Sequence, residues 1–185
     1  MAFRIRQFHR ADFDVLWQID QACFEPQLAY SRPEMAFYMR RPGAFTLVAE
    51  VSENGTPNGP ANSATGEMGN SGAVPADSAA ILGFVVAEVR RRTGHIITID
   101  VVREVRRSGV GSALLAAAES RLRENGAEAV VLETAVNNET AIRFYKRKGY
   151  VVEKTVRRYY AHQLDALVME KRWQPSASSG GIGAG

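Results

Sequence analysis

A short glycine-containing segment at residues 106–111, with the sequence Arg-Arg-Ser-Gly-Val-Gly, most constrains how this chain can fold. It follows an apolar, strand-like run at 95–102 and opens a helix-like run at 109–125. Glycine lets the backbone turn tightly and approach a ligand closely, and the free N–H groups at a helix start favour anions. We therefore expect a strand–loop–helix unit that holds a diphosphate, with a merely flexible helix start as the alternative.

The same segment lacks the features of two common nucleotide-binding loops. A P-loop would need Gly-x-x-x-x-Gly-Lys followed by Ser or Thr, and the chain has no such run. A dinucleotide fingerprint would need a third small residue after Gly-x-Gly, where this chain has Leu114. The expected diphosphate therefore belongs to a different kind of ligand.

Size and charge describe an ordinary globular protein. The 185 residues predict one domain with a sizeable core, and 45% apolar with 23% charged residues are typical values. The net charge of +3 suits an anionic ligand, but without a clustered basic patch it is too small to predict nucleic-acid binding.

Cysteine and histidine usage gives no sign of a metal site. The single cysteine, Cys23, excludes an internal disulfide framework and a cysteine-rich zinc site. His9, His95 and His162 are scattered without ligand spacing. No run approaches the length of a membrane span, and the N-terminus lacks the apolar core of a signal peptide. We expect a cytoplasmic protein that needs neither a metal nor a membrane.

Periodicity and turn residues predict the element order β-α-α-β-β-β-α-β-α-β-β. This order indicates the α/β class, with one mixed sheet and helices on both faces. The first predicted strand starts at Phe3. The other predicted strands span 44–51, 80–89, 95–102, 129–136, 150–156 and 166–169. The helices are expected to start near Asp12, Ser31, Gly109 and Asn138, which are residues typical of helix starts.

One segment within this pattern has a different composition. Residues 53–79 hold five Gly, three Pro, four Asn and no aromatic residue, so they cannot bury enough apolar surface to become ordered. We expect a single domain at 1–174 that carries a disordered insertion at 53–79, followed by a flexible tail at 175–185.

A second motif follows the strand predicted at 129–136. Residues 138–150 fit the pattern Asn-x-x-Ala-x-x-x-Tyr-x-x-x-Gly-aromatic. Together with Arg-x-x-Gly-x-Gly at Arg106, Gly109 and Gly111, this pattern resembles the acyl-CoA motifs of the GNAT N-acetyltransferases. Two motifs in the family's order, each placed at a helix start after a strand, make coincidence improbable.

The C-terminal part narrows the resemblance. The run at 157–160, Arg-Arg-Tyr-Tyr, the segment at 165–169 and the pair Leu132-Glu133 are similar to the ribosomal-protein-alanine N-acetyltransferases, the RimI type. The resemblance covers about 81–171 and is weak over 1–51. The chain also departs from that group, because Val102-Arg103 replaces an Asp-Pro pair and the acceptor loop has no Trp.

The resemblance implies a GNAT fold whose two central strands splay apart around the pantetheine arm of acetyl-CoA. It implies Glu133 as the catalytic base and Tyr145 as the catalytic acid. Tyr30, Tyr159 and Tyr160 would line the acceptor groove. The residues implied for acetyl-CoA are Ile99, Asp100 and Val101 on the strand, Arg106, Arg107, Ser108, Gly109, Val110, Gly111 and Ser112 in the loop, and Asn138.

The chemistry of acyl transfer supports these residue types independently. An α-amino group has a pKa of about 7.7–8.0, so a base must remove a proton near neutral pH before the nitrogen can attack a thioester. A carboxylate can do this, and a tyrosine hydroxyl can protonate the departing sulfur. Each residue also has a structural alternative: a solvated strand acid for Glu133, a packing aromatic for Tyr145, and an N-cap for Asn138.

The leading hypothesis is therefore an enzyme that acetylates a protein N-terminal α-amine, with a ribosomal-protein N-terminus as the first acceptor to consider. Acetylation of a small amine or a lysine side chain is the alternative within the family. A non-catalytic acyl-CoA-binding module is disfavoured because both the acid and the base are present. A nucleic-acid-binding module, suggested by the arginines at 90–92 and 157–158, ranks last. The sequence leaves the oligomeric state open.

Overall fold

A computed structural model describes residues 1–26, 28–52, 80–160 and 164–173. The predicted element order is confirmed. The predicted insertion at 53–79 and tail at 175–185 lie outside the described residues, so the single domain at 1–174 stays a prediction. The elements are β1 Phe3–Gln7, α1 Phe13–Cys23, α2 Arg32–Met39, β2 Ala44–Val51, β3 Ile81–Arg90, β4 Thr93–Val101, α3 Val110–Glu124, β5 Ala129–Ala135, α4 Glu139–Arg147, β6 Val151–Tyr160 and β7 Leu164–Arg172.

The described strands form one seven-stranded sheet in the order β1-β2-β3-β4-β5-β7-β6. Neighbouring strands are antiparallel except for β4 and β5, which are parallel. The predicted mixed sheet is therefore confirmed. The parallel pair, β4 and β5, lies at the centre of the sheet. Parallel strands need a crossover connection, and α3 returns the chain to the end of the sheet at which β4 begins.

Two separate apolar cores cover the two faces of the sheet. Leu114 of α3 and Tyr145 of α4 belong to one core, and Leu16 of α1 and Met35 of α2 belong to the other. Adjacent strand residues are divided between these cores because side chains alternate along a strand. Helices therefore pack on both faces, as the pattern predicts.

Local hydrogen bonds explain where two of the helices begin. At α2, the Ser31 side chain accepts from the Glu34 backbone and the Glu34 carboxylate accepts from the Ser31 backbone, which is a capping box. Asp12 occupies the N-cap position of α1, but its side chain makes no cap bond. It instead pairs with Arg6 at 2.7 Å and accepts from the His9 backbone N–H, so it fastens the start of α1 to β1.

The two central strands separate partway along their length. Pairing of β4 with β5 runs only from Thr93 opposite Ala129 to Ile96 opposite Leu132, although both strands continue. The register of β4 against β3 shifts at the same level, where Val86 pairs with Thr98, so β4 contains one extra residue. Such a bulge bends a strand, and the predicted splay of the central strands is confirmed.

Within the described ranges, no helix has both the length and the apolar character that a bilayer span requires. The cytoplasmic location expected from the sequence stays a prediction.

The core beneath α3 should dominate stability. Leu114 is fully buried there, and Leu114→Ala should lower the free energy of unfolding by about 2–5 kcal/mol, because the cavity adds to the lost transfer energy. Urea denaturation measures this loss. Ser120→Ala, on the exposed face of the same helix, is the control. An equal loss in both variants would contradict this packing.

Candidate active site

A cleft of about 1080 Å³ opens where β4 and β5 diverge. Its walls are the second half of β4, the end of β5, the starts of α3 and α4, and the segment between α1 and α2. The cleft brings together most of the residues implied by the sequence motifs: Tyr30, Ile99, Asp100, Val101, Arg106, Arg107, Gly109, Gly111, Ser112, Glu133, Asn138, Tyr145 and Tyr160.

Three of the expected site residues do not line this cleft. Val110 is buried and packs in the core, so only its backbone is available to a ligand. The Ser108 hydroxyl donates to the Val105 carbonyl at 2.6 Å and thereby stabilises the turn. Tyr159 is 47% exposed and lies beside the cleft.

The loop before α3 has the geometry of an anion site. Gly109 has a φ of +97° and Arg107 a φ of +66°, so two left-handed positions turn the chain into the helix. The first hydrogen bond runs from the Ala113 N–H to the Gly109 carbonyl. The N–H groups of the turn before Ala113 therefore have no acceptor within the helix, and they can bind a diphosphate together with the helix dipole.

Arg106 braces this loop against β4. Its Nε donates to the Val101 carbonyl at 3.0 Å, and its guanidinium also reaches the Cys23 sulfur at 3.3 Å. The side chain is thus engaged with protein groups on the wall of the cleft. Arg107, which is exposed, is the cation better placed to meet a ligand in solution.

The backbone of β4 presents hydrogen-bonding groups to the gap. The Val102 N–H donates to the Leu82 carbonyl next to β3, and backbone groups alternate in direction along a strand. Ile99 and Val101 therefore direct their N–H and C=O groups toward β5. By the same alternation, Asp100 directs its backbone toward β3. Asp100 nevertheless lines the cleft, and its contact with a ligand stays a prediction.

Glu133 is paired with a histidine that the sequence motifs did not indicate. The His95 Nε2 and Glu133 Oε2 atoms are 2.7 Å apart, and the other imidazole nitrogen, Nδ1, lies 3.7 Å from Glu88. His95 stands opposite Glu88 on β3 and opposite Val131 on β5. The three side chains therefore share one face of the sheet, a relation that appears only when the strand register is known.

Charge explains the state of this histidine. Burial disfavours the imidazolium, but the neighbouring Glu133 and Glu88 carboxylates outweigh it and raise the pKa of His95. Glu88 itself is fully buried and contacts Arg41 and Arg90 at 3.2 and 2.8 Å. Glu88, His95 and Glu133 therefore form a row of ionisable side chains from the buried Glu88 to Glu133 at the cleft.

Tyr145 approaches the cleft from the opposite face of the sheet. It is 6% exposed and packs edge-on against Phe144 and Tyr150, with ring centroids 5.1 and 5.5 Å away. Tyr145 shares a core with Leu132, the neighbour of Glu133 on β5. Because side chains alternate along a strand, Glu133 and Tyr145 flank the gap from opposite sides.

Burial keeps the Tyr145 phenol protonated. Desolvation is the main cause of its raised pKa, followed by the charge of Asp100. A phenol held in this form is a proton donor across the neutral range.

A group of tyrosines borders the cleft on the Glu133 side. The Tyr30 and Tyr38 rings are 5.2 Å apart, and the Tyr159 and Tyr160 rings are 4.9 Å apart. Burial, and then the charge of Glu133, raises the pKa of Tyr159 to about 12. These rings form an apolar rim, and the charge of Glu133 acts on the hydroxyl groups of Tyr159 and Tyr160. Tyr38 is the member that sequence patterns did not indicate.

Asn138 is the N-cap of α4, with its Oδ1 accepting the Ala141 N–H at 3.1 Å. This structural role is confirmed. Asn138 also lines the cleft, so its side-chain amide stays a candidate for ligand contact. Within the ranges that the structure describes, no three His, Cys, Asp or Glu residues group as metal ligands would.

Comparison with known proteins decides the family. Residues 13–150 match the model of the acetyltransferase (GNAT) family. The chain belongs to the GNAT family. Over 79 residues it is 42% identical to an N-alpha-acetyltransferase of Sulfurisphaera tokodaii, a match that covers 42% of this chain and 47% of the relative. The matched segment thus spans about half the length of that protein.

Two solved structures share the fold over almost the whole chain. Ard1 from Thermoplasma volcanium is 25% identical, with a TM-score of 0.72, and the match covers 95% of this chain and 100% of that one. The ribosomal-protein-S18-alanine N-acetyltransferase of Escherichia coli has a TM-score of 0.71 at 18% identity, with 96% and 98% covered. The second likeness concerns the fold alone.

The narrow space around Gly111 yields a test of the ligand cleft. A Cβ at Gly111 would lie 3.4 Å from the Val101 side chain and 3.9 Å from the Phe144 ring. Gly111→Val should therefore fill the gap between the α3 start and β4, and weaken acetyl-CoA binding by about tenfold or more. Isothermal titration calorimetry measures the affinity. Ala116→Val adds similar bulk on the exposed face of α3 and should bind normally.

The raised pKa of His95 gives a pH-dependent contribution to stability. This contribution should be complete below about pH 6.5, which is the ordinary pKa of histidine in an unfolded chain. It should disappear as the pH rises through the raised pKa that His95 has in the folded state. His95→Gln should thus lose more unfolding free energy at about pH 5.5 than at about pH 8.5, measured by urea denaturation. His9→Gln, at an exposed position, serves as the control. A loss independent of pH would contradict the ionic contact.

Proposed function

We propose that this chain is an acetyl-CoA-dependent N-acetyltransferase that modifies the α-amino group at a protein N-terminus. One observation carries the proposal: the gap between β4 and β5 has an anion-binding loop at one end, and Glu133 and Tyr145 on its two sides. Membership in the GNAT family agrees with this chemistry.

The residues present fit coenzyme A along the length of the cleft. The loop amides and Arg107 would hold the diphosphate, as a helix start holds other anions. The outward-facing backbone groups of Ile99 and the Val101 N–H would pair with the amides of the pantetheine arm, which would lie between the strands like an added strand. The Val101 carbonyl already accepts from Arg106. Holding both reactants in this way supplies much of the rate gain.

The reaction balances with these side chains alone. The acceptor nitrogen attacks the thioester carbonyl carbon, a C–N bond forms and the C–S bond breaks. Glu133 takes the proton that the nitrogen loses, and Tyr145 gives its proton to the departing sulfur. His95 orients the Glu133 carboxylate through the 2.7 Å contact. Acid–base assistance of this kind typically contributes about 10²–10⁴-fold.

The α-amine is the acceptor that the comparisons favour. The relative from Sulfurisphaera tokodaii is described as an N-alpha-acetyltransferase. The tyrosine rim beside Glu133 would receive the first residues of an extended peptide, with Tyr30, Tyr159 and Tyr160 as the candidate contacts. A ribosomal-protein N-terminus is the first such acceptor to consider, because the segments at 157–160 and 165–169 resemble the ribosomal-protein-alanine N-acetyltransferases.

Thiol release from acetyl-CoA tests the acceptor class. The panel contains peptides that differ in their first residue, the same peptides blocked at the N-terminus but carrying a free lysine, and small amines. We expect turnover only with free α-amines. Turnover with the blocked peptides or small amines would reassign the acceptor to a lysine side chain or to a small molecule.

Removing either proton-transfer group should slow the chemistry. Glu133→Gln and Tyr145→Phe should each lower kcat by about tenfold or more, while acetyl-CoA still binds. Glu153→Gln, an exposed acid on β6, is the matched control, and stopped-flow thiol detection is the measurement. Unchanged kcat in both site variants would remove these catalytic assignments.

A further inference from the structure

Three side chains of helix α1 form hydrogen bonds with the backbone of Tyr30. The Trp17 indole and the Gln21 amide donate to the Tyr30 carbonyl at 3.1 and 2.9 Å, and the Asp20 carboxylate accepts the Tyr30 N–H at 2.8 Å. Positions 17, 20 and 21 lie on one face of a helix. The wall of the cleft formed by Tyr30 is therefore placed by α1.

The same tyrosine also reaches the central strand. Its hydroxyl lies 3.5 Å from the Ile97 carbonyl of β4, so Tyr30 spans the interface between α1 and β4. Any force that moves α1 away from β4 would move this wall of the cleft.

Two carboxyl groups lie buried in that interface. Asp20 of α1 is 0% exposed and Asp100 of β4 is 1% exposed. Among the described residues, Asp100 accepts from the Thr98 hydroxyl alone, at 3.2 and 3.3 Å. The Asp20 Oδ1 atom is buried and has no hydrogen-bond partner among the described residues. A buried polar atom in this condition is rare and costly.

Within the described part of the chain, neither carboxyl group has a salt bridge to a cation. Burial, and then the charge of Asp20, raises the pKa of Asp100 well above its ordinary value. Burial raises the pKa of Asp20 to about 6. Two like charges in a buried interface repel, and one proton removes most of that repulsion.

We propose that Asp20 and Asp100 together hold one proton at neutral pH, and that this proton keeps α1 and Tyr30 seated against β4. The two acids are then positioning residues for the acceptor side of the cleft. This inference rests on the proposed function for its kinetic consequence, but its structural consequence stands independently. Loss of the proton would place two negative charges across the α1–β4 interface and displace Tyr30.

Few other titratable or charged groups face the pair within the described residues. Arg106 attracts the Asp100 carboxylate but is exposed. Burial raises the pKa of the Cys23 thiol, to which Asp100 adds. The titratable and charged groups around the pair are Cys23 of α1, Tyr30, Arg106 after β4, and Tyr145 of α4.

Trp17 provides a readout that needs no substrate, because its indole is bonded to Tyr30. In a Trp173→Phe background it is the single tryptophan. Its fluorescence should change as the pH rises above neutrality and the pair loses its proton. Asp100→Asn keeps the shape and a donor but cannot ionise, so the change should disappear. Glu153→Gln, which changes an exposed acid on β6, should retain it.

The kinetic consequence separates the acceptor from the acetyl donor. Over the same pH range, KM for an acceptor peptide should rise in both proteins, and the rise should be about fivefold larger in the parent protein than in Asp100→Asn. The affinity for acetyl-CoA should change by the same factor in both proteins. Ionisation of the acceptor amine is common to both proteins and cancels. Asp100→Ala, which lacks the donor, should show a raised KM at every pH.

A fluorescence change that persists with the same midpoint in Asp100→Asn would overturn the proposal, as would its absence from the parent protein. Should Asp100→Asn fail to fold, Asp20→Asn replaces it, because removing either acid removes the repulsion. A fluorescence change that persists in Asp20→Asn would overturn the proposal equally. Absence of turnover with every amine would contradict the proposed function and leave the fluorescence result to decide on the proton.

Discussion

The separation of β4 from β5 is the constraint on which the site depends. Only the residues from Thr93 to Ile96 pair across the centre of the sheet, and the extra residue in β4 at that level turns the strand away. The features of the cleft follow from this separation of the two strands. Backbone groups of β4 face an open gap, and the loop into α3 lies at its end.

The gap also explains why the proposed acid and base come from different layers of the protein. Side chains alternate along β5, so Glu133 meets His95 on the face covered by α1 and α2. Tyr145 enters from the core beneath α3 and α4. A substrate held between the strands would be exposed to both faces at once, which a continuous sheet would forbid.

Local patterns and one family resemblance sufficed to predict the element order, the α3 start at Gly109 and the cap at Asn138. Those features depend on neighbours in sequence. The partners of Glu133 could not be predicted in this way, because His95 and Glu88 join it through strand register across three strands. The buried Asp20 and Asp100 were also out of reach, since their relation requires the packing of α1 on β4.

The four residue pairs that join β4 to β5 have a consequence for the lifetime of the protein. Within the sheet, this short seam pairs strands β1 to β4 with strands β5 to β7. A donor molecule that bridged the seam as proposed would bind the folded state and shift unfolding by mass action. The persistence of such a protein in a cell would then follow the supply of the metabolite that it consumes.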